Sequence, residues 1–453
     1  MLPRVMFVLC VCLLSCFYGA ASVYFQIFPY PILKDAKAAF DAWQEVIKDD
    51  HTFEFVDENG HAEPQVIPLA GEDDDKPYIL MTGHPYTFIS ECPQLGCMAW
   101  ILDRRGKVFH TWEVHLGELW ADTPDHTGFK DHEDISTGGL HLYDNGDLLA
   151  NFVSRRMFPF GIGMAKFDKD GNVLWKRANF SHHWFSVAPD GLIYTPAHRL
   201  VDSPLPLGDT KEVLNCDAGK IYADAILIVN PNGDTVAEIS VLDLLIEHGF
   251  IGLLIPVDGC DPIHLNYVEY VTADAARGAR GLNEGDLVIS TLEQNMIAAI
   301  DGTTRKLKWA LAGKTARQHS PRLLADGSII AFDNKGGRRQ GGGSRIVRLK
   351  YGSDVVAEVF PRSDVDTSIN FYTENAGHID PHPDGTRALV SLTRQGRVLE
   401  IDLQQGRVLW ELINTHDPGP YADQVGAEQG QVVRFSAIGA YYVDERLLDS
   451  LAD

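Results

Sequence analysis

Histidines are the residues in this sequence whose type and spacing could do chemistry. Four segments carry them, centred on His182 and His183, on His264, on His319 and on His378. An imidazole can ligate a metal, bind an anion or act as a nucleophile, because both its neutral and its charged form are accessible near neutral pH. A single histidine is more often a hydrogen-bonded structural residue. Four of them, each shortly before a predicted strand, favour a shared site.

The elements that must position these histidines form a repeat. One half-unit is a turn followed by an apolar strand, as in Asp326-Gly327 before 328–332. The other half-unit runs from Asp through a short turn with Gly to Val or Leu and Trp, as in 402–410. Together they make about four strands and recur roughly every 50–70 residues, which is typical of β-propeller blades.

The segment from Pro77 to Asp453 has room for about five or six such blades. We therefore predict an all-β fold, a β-propeller in which equivalent loops converge on a central channel and bring the histidines together. Four tryptophans are predicted to pack between blades: Trp112, Trp175, Trp309 and Trp410.

Composition excludes one class of partner. The chain has 453 residues, 45% of them hydrophobic, which is ample for a core. Its 63 acidic and 39 basic residues give a formal charge of −24. Such a surface repels phosphate backbones, so we expect no nucleic-acid binding.

The N-terminus is apolar. From Val5 to Phe28 no residue is charged, and a membrane-spanning helix needs about 20 such residues. We predict a membrane anchor or signal segment over 1–28, with Arg4 favouring an extracytoplasmic location for the rest, in the periplasm or at the cell exterior. A helical stalk and acidic linker are expected over 29–76 and the propeller over 77–453. The sequence leaves a homo-oligomer open.

Cysteine usage agrees with export. Apart from three cysteines in the apolar run, the chain has Cys92, Cys97, Cys216 and Cys260. An even number in an exported domain predicts two disulfides. Our preferred pairing is Cys92–Cys97 and Cys216–Cys260. Metal binding by these cysteines is the weaker alternative, since the chain has no Cys-x-x-Cys pair.

The order of three motifs carries a resemblance to a known family. His182-His183 comes first, Asp261 to Val268 (Asp-x-x-His-x-Asn) second, and Gln318-His319 before an Asp-Gly strand third. In this order the chain resembles the arylsulfate sulfotransferase family over roughly 139–411. The resemblance implies an exported six-bladed propeller that transfers a sulfuryl group from a phenolic sulfate to another phenol. It further implies a transiently sulfated histidine, ping-pong kinetics and no cofactor.

Roles can be carried over position by position. By the resemblance, His319 would be the nucleophile, His264 would donate to the sulfuryl oxygens or to the leaving phenolate, and His183 would assist. The predicted substrate-binding residues are His182, Asn266, Arg317 and His378. We predict no metal site.

One departure from the family pattern affects the functional expectation. Leu292 stands where the family has an arginine. Four arginines are candidates to replace it: Arg199, Arg317, Arg338 and Arg345. The alternative is a diverged or non-catalytic propeller that binds a sulfated or other anionic ligand. A quinone-dependent dehydrogenase is a third hypothesis, disfavoured by the lack of a vicinal cysteine pair.

Overall fold

The computed structural model separates the chain into two units, Met1–Glu54 and Phe55–Asp453. It describes residues 2–25, 27–29, 66–68, 77–83, 91–92, 94–123, 127–128, 134–154, 157–257, 259–338, 342–362, 369–425 and 427–452. The predicted stalk helix after residue 29 lies outside these residues. The predicted domain boundaries stay a prediction.

The first unit contains one described helix, Leu2–Phe25. Near its end the Tyr18 hydroxyl donates to the carbonyl oxygen of Phe28 at 2.7 Å. Across the part of the chain that the structure describes, none of the helices combines the length and apolar character needed to cross a membrane. The predicted membrane-anchor helix is therefore not supported.

The second unit contains six antiparallel sheets of four or more strands, which we call blades 1 to 6. From the inner strand outwards, blade 1 consists of Gly439–Val443, Tyr78–Thr82, Ala99–Asp103 and Val108–Trp112; blade 2 of Ile135–Leu142, Leu148–Ser154, Gly161–Phe167 and Val173–Arg177; and blade 3 of Ser186–Val187, Ile193–Ala197, Ala225–Val229 and Thr235–Ser240. Blade 4 consists of Leu265–Tyr270, Leu287–Thr291, Met296–Ile300 and Leu307–Ala312; blade 5 of His319–Leu323, Ser328–Asp333, Arg345–Lys350 and Val356–Phe360; and blade 6 of His378–Pro381, Arg387–Leu392, Arg397–Asp402, Arg407–Ile413 and, outermost, Val66–Pro68.

The ring closes through blade 1. Its inner strand Gly439–Val443 comes from the end of the chain and pairs with Tyr78–Thr82 from near the start of the unit. This pairing ties the two ends of the propeller together. The prediction of a mainly-β, six-bladed propeller is confirmed. The outermost strand of blade 6, Val66–Pro68, lies before the predicted start of the propeller and pairs with Arg407–Ile413.

The core is divided among the blade-to-blade contacts. Because side chains alternate between the two faces of a strand, each blade has one apolar set for each neighbour. The pattern is clear between blades 6 and 1, where Leu389 and Trp410 belong to one buried cluster with Ile79 and Trp100. Similar clusters join blades 1 and 2, 2 and 3, 3 and 4, 4 and 5, and 5 and 6.

The predicted inter-blade tryptophans are confirmed. The Trp112 indole donates to the carbonyl oxygen of Asp168 at 3.1 Å, in the next blade. The Trp410 indole donates in the same way to Arg104, at 3.0 Å. Trp175 makes the equivalent bond to Pro231, and Trp309 packs against the cluster between blades 4 and 5. Each indole thus fastens the outer part of one blade to its neighbour.

The remaining elements are short. The two-stranded sheets pair Leu200–Asp202 with Lys220–Tyr222, Leu205–Pro206 with Val213–Leu214, Thr415–His416 with Val433–Arg434, and Thr127–Gly128 with Met157–Phe158. The other described helices are Leu116–Trp120, Val241–Glu247, Ile251–Leu254, Ala273–Gly278 and Glu445–Ala452, with 3-10 turns at Thr393–Gln395 and Gly419–Val425.

Two disulfides are present in the structure, Cys92–Cys97 and Cys216–Cys260, in the preferred pairing. The second links an excursion of blade 3 to the segment that leads into blade 4. The Tyr222 amide, in the same excursion, also donates to the carbonyl oxygen of Cys260 at 2.7 Å. This covalent link fixes the residue immediately before Asp261.

Candidate functional site

The predicted histidines lie where the chain enters the inner strands. His319 and His378 are the first residues of their strands, and His264 directly precedes Leu265–Tyr270. His183 and His264 both have left-handed backbones, with φ of 53° and 52°. Residues other than glycine adopt this conformation only where the surroundings impose it, and such strain is common at functional sites.

Side-chain amides and backbone bonds impose that conformation. The Asn151 side chain donates to the carbonyl oxygens of His182 at 3.0 Å and His183 at 3.2 Å. At the next blade the His264 amide donates to Asp261 Oδ1 at 3.0 Å, and the His264 carbonyl accepts from the Leu292 amide at 3.1 Å. The histidines are therefore held by rigid elements of the propeller.

Two of the three predicted catalytic histidines are in direct ring contact, and the third is near enough to affect their charge. The rings of His183 and His264 are 4.9 Å apart, and the Phe160 ring lies 5.7 and 5.6 Å from them. His319 is close enough that charge on His264 lowers its pKa, although burial is the larger cause. Burial also places the pKa of His183 well below its ordinary value, with contributions from His182, His264 and His319.

His319 is held in one tautomer. Its Nδ1 lies 2.8 Å from Asn334 Oδ1 and 3.1 Å from the Arg317 carbonyl oxygen. The Asn334 amide nitrogen is used in donating to the carbonyls of Thr373 and Ala376, so its oxygen is the acceptor. Nδ1 therefore carries the proton and Nε2 the lone pair. Burial lowers the pKa of His319 to about 3, which keeps the ring neutral.

His264 has the opposite electrostatic environment. Its Nδ1 lies 2.5 Å from Asp261 Oδ2. Burial lowers the pKa of His264, but the carboxylates of Asp261, Asp224 and Glu293 outweigh this and raise it above its ordinary value. A ring whose pKa is raised favours donating a proton, and a ring whose pKa is lowered favours accepting one.

The structure puts the predicted substrate-binding residues in different surroundings. Arg317 lies 3.2 Å from Glu293, and its charge lowers the pKa of His319. His182 is fully buried, with Nδ1 2.7 Å from His183 Nδ1, so it lies behind that ring. His378 is buried and stacks on Trp184 at 5.8 Å.

Asn266 has a structural contact, because its amide donates to the Gln318 carbonyl at 2.9 Å. This bond joins the inner strand of blade 4 to the start of blade 5. The functional roles of these four residues stay predictions.

The structure distinguishes the four candidate arginines. Leu292 is 1% exposed and supports His264 through its backbone. Of the four, Arg317 is separated from His319 in the chain only by Gln318, and its charge lowers the pKa of His319. The other three form ion pairs elsewhere: Arg199 with Glu238 at 3.5 Å, Arg338 with Glu358 at 3.4 Å, and Arg345 with Asp333 at 2.8 Å.

Sequence reasoning missed a second row of residues behind the site. His198 Nδ1 lies 2.8 Å from Asp224 Oδ1, and the His198 ring stacks on His182 at 4.0 Å. Gly161 permits this packing, since a Cβ there would meet the Phe180 carbonyl oxygen at 2.7 Å. The position of His198 in the sequence could have identified it, because it is a polar residue directly after the apolar strand Ile193–Ala197. Among the described residues, His182, His198 and Asp224 form the group that could hold a metal ion.

Several proteins of known structure are similar to this chain. Similar solved structures include a protein of unknown function from Bacteroides caccae (11% identity, 76% of this chain and 94% of that chain covered, TM-score 0.45). Virginiamycin B lyase from Staphylococcus aureus (12%, 63% and 71%, TM-score 0.36) and a putative 6-phosphogluconolactonase from Bacteroides fragilis (10%, 83% and 100%, TM-score 0.40) are also similar. No curated protein matches the chain significantly.

The family comparison is the informative one. The arylsulfotransferase (ASST) family matches residues 139–415, which is more than half of the chain and covers all three histidine motifs. The chain belongs to the arylsulfotransferase (ASST) family.

Proposed function

We propose that this protein transfers a sulfuryl group from a phenolic sulfate ester to a phenolic acceptor, through a sulfated His319. The observation that carries the proposal is the contrast between a neutral His319, with its lone pair on Nε2, and a nearby His264 whose pKa is raised by carboxylates. Family membership supports the reaction class.

In the first half-reaction, His319 Nε2 attacks the sulfur atom and the bond between sulfur and the phenolic oxygen breaks. The phenolate leaves with the bonding electron pair and takes a proton from His264. The sulfuryl oxygens carry negative charge during transfer, and donors fixed in a buried channel stabilise that charge. Arg317, at the margin of the site beside His319, supplies a positive charge for this purpose.

In the second half-reaction, His264 has become neutral and accepts the proton of the acceptor phenol. The acceptor oxygen attacks sulfur, the bond between sulfur and His319 Nε2 breaks, and the new ester leaves. His319 returns to its neutral form. Throughout, Asn334 keeps the proton on Nδ1, so that Nε2 stays available to sulfur.

The experiment is turnover of p-nitrophenyl sulfate with a phenol as acceptor, followed by nitrophenolate release. His319→Ala is expected to reduce turnover by at least about 10³-fold, because it removes the attacking atom. A matched control is His115→Asn. His115 caps helix Leu116–Trp120 by accepting from the Glu118 amide, and asparagine retains capping ability.

The control variant should retain wild-type turnover. Unchanged turnover in His319→Ala would contradict the nucleophile assignment. Equal losses in both variants would indicate a general effect of histidine replacement on the fold.

The alternative is a propeller that binds an anionic or sulfated ligand without turnover. Leu292 favours it, because a buried leucine stands where the family pattern has an arginine. Here the same aryl sulfate should raise the thermal unfolding temperature, since a ligand that binds only the folded state stabilises it. Stabilisation without nitrophenolate release identifies the binding protein, and release that depends on the phenolic acceptor identifies the transferase.

We further propose that the protein works outside the cytoplasm, in the periplasm or at the cell exterior. Its two disulfides support this, because such bonds persist mainly in oxidising compartments. Thiol labelling of protein isolated from its native cells should find Cys216 and Cys260 protected until a reductant is added. Complete labelling without reductant would contradict the proposed location.

A further inference from the structure

A compact group of nitrogen and oxygen donors lies behind the proposed active site. His182 lies in the segment that leads into the inner strand Ser186–Val187 of blade 3, His198 follows the second strand, and Asp224 directly precedes the third. All three side chains are fully buried. One ligand atom from each can be chosen so that all lie within 4.8 Å of one another. Three neighbouring strands of one blade thus direct their donors to one point.

One atom in this group has no hydrogen-bond partner. His182 Nε2 is buried and has no hydrogen bond, and its carboxylate neighbour, Asp224 Oδ1, lies 3.8 Å away, beyond hydrogen-bonding distance. A buried polar atom without a partner is costly. Two ligand atoms of one zinc ion, each about 2.0–2.2 Å from the metal, lie about 3–4 Å apart. The gap between Nε2 and Oδ1 therefore has the size that an ion would bridge.

We propose that His182, His198 and Asp224 bind one divalent transition-metal ion, for which zinc is the best match. Two imidazoles and a carboxylate are a donor set that zinc accepts, whereas magnesium and calcium prefer oxygen donors. The Leu265 amide donates to Asp224 Oδ2 at 2.7 Å and orients the carboxylate. His198 Nδ1 now donates to Asp224 Oδ1, and an ion bound at Nδ1 requires that proton to move to Nε2.

The ion would fix the tautomer of a neighbouring histidine. With the metal on Nε2, the proton of His182 must lie on Nδ1, which is 2.7 Å from His183 Nδ1. His183 Nδ1 then accepts, so His183 carries its own proton on Nε2, the other edge of the ring. His182 and His198 would then be positioning residues for His183. This consequence for sulfuryl transfer rests on the proposed function.

Metal binding can be tested without any assay of transfer. Full-length protein is stripped with a chelator, equilibrated with Zn²⁺ in the presence of excess Mg²⁺, and analysed for bound zinc. We expect one zinc per chain. Asp224→Asn and His198→Gln should each lower the zinc affinity by at least about 100-fold, a loss no smaller than that for removing an outer-shell partner. The matched control, His264→Gln, replaces a neighbouring histidine outside the set and should retain one zinc.

His198→Cys separates loss of a ligand from loss of the fold, because a thiolate can also ligate zinc. This variant should keep one zinc, and with Co²⁺ it should gain a sulfur-to-metal absorption band that the wild type lacks. Less than stoichiometric zinc in the wild type, or wild-type affinity in both Asp224→Asn and His198→Gln, would overturn the site. Zinc binding without sulfuryl transfer supports the site and overturns the proposed function. Transfer by a zinc-free protein that takes up no zinc overturns the site alone.

Discussion

The inner strands of the propeller carry two buried polar clusters, and they differ in how completely their atoms are paired. Further along the strands, around a cavity of about 360 Å³, Arg322 pairs with Glu269 at 3.2 Å and Asp380 at 3.1 Å. The other Asp380 oxygen accepts from the Tyr442 amide at 2.8 Å. Every charge in this second cluster has an opposite partner, as expected of a structural network.

The histidine cluster at the start of the same strands is different. It has two left-handed histidines and a buried imidazole nitrogen without a hydrogen bond. Neighbouring rings also have pKa values displaced in opposite directions, with His319 lowered and His264 raised. The comparison indicates that shared strands support one fully paired cluster and one with strained, incompletely paired residues, which are features common at functional sites. Substitutions in the two clusters should therefore affect different properties.

The largest expected effect is on stability, at Arg322. Arg322→Met leaves Glu269 and Asp380 facing each other without a cation, so we expect the free energy of unfolding to fall by about 3–5 kcal/mol. Urea denaturation measures it. The matched control is Arg407→Met, which removes an exposed arginine 3.8 Å from Asp402 and should cost less than about 1 kcal/mol. Equal, small losses in both variants would contradict the structural role of the second cluster.

Much of this fold could be predicted from sequence because its signals are local. Turns such as Asp326-Gly327 are such a signal: Gly327 adopts φ 76° and leads into strand Ser328–Asp333. Trp112 and Trp410 recur at one place in the half-unit and lie between blades as predicted. Histidines before inner strands could be grouped for the same reason, since equivalent blade positions converge.

The rest depends on contacts that sequence spacing does not encode. His198 and Asp224 meet across a long excursion of blade 3, and only the folded blade brings them together. Strand Val66–Pro68 lies in a range predicted as linker, because its pairing partner is at the other end of the chain. The apolar N-terminal run forms the helix Leu2–Phe25, but no helix among the described residues is long and apolar enough to span a membrane.

A smaller effect is expected on catalysis, at the margin of the histidine cluster. Arg317→Met should lower turnover of p-nitrophenyl sulfate by roughly 100-fold, because one charge that stabilises the transferring group is lost. The matched control is Arg338→Met, since Arg338 pairs with Glu358 away from His319. A loss of turnover in Arg338→Met alone would show that Arg338, and not Arg317, replaces the arginine missing at Leu292. Full activity in both variants would remove Arg317 from the account.

The smallest effect is a shift in pH dependence. His264 is faced by Asp261, Asp224, Glu293 and His183, and the carboxylates raise its pKa despite burial. A raised pKa keeps His264 protonated to higher pH, so transfer should decline as the pH rises through that pKa. Asp261→Asn keeps a hydrogen-bond acceptor but removes the charge, and it should move the decline to lower pH. The pH profile of kcat/KM measures this.

The acidic side of the profile provides a check on the same prediction. His319, with a pKa lowered to about 3, should cause no loss of transfer at mildly acidic pH. An unchanged alkaline decline in Asp261→Asn would assign that decline to a group other than His264.

Trapping the sulfated intermediate tests directly whether His319 Nε2 carries the sulfuryl group. The protein is mixed with p-nitrophenyl sulfate without an acceptor, quenched in base and digested for peptide mass spectrometry. We expect the mass of one sulfuryl group on the peptide that contains His319, fragment ions that place it on this residue, and its loss when a phenol is added before the quench. A sulfated residue other than His319, or turnover with no sulfated peptide at any time, would contradict the account.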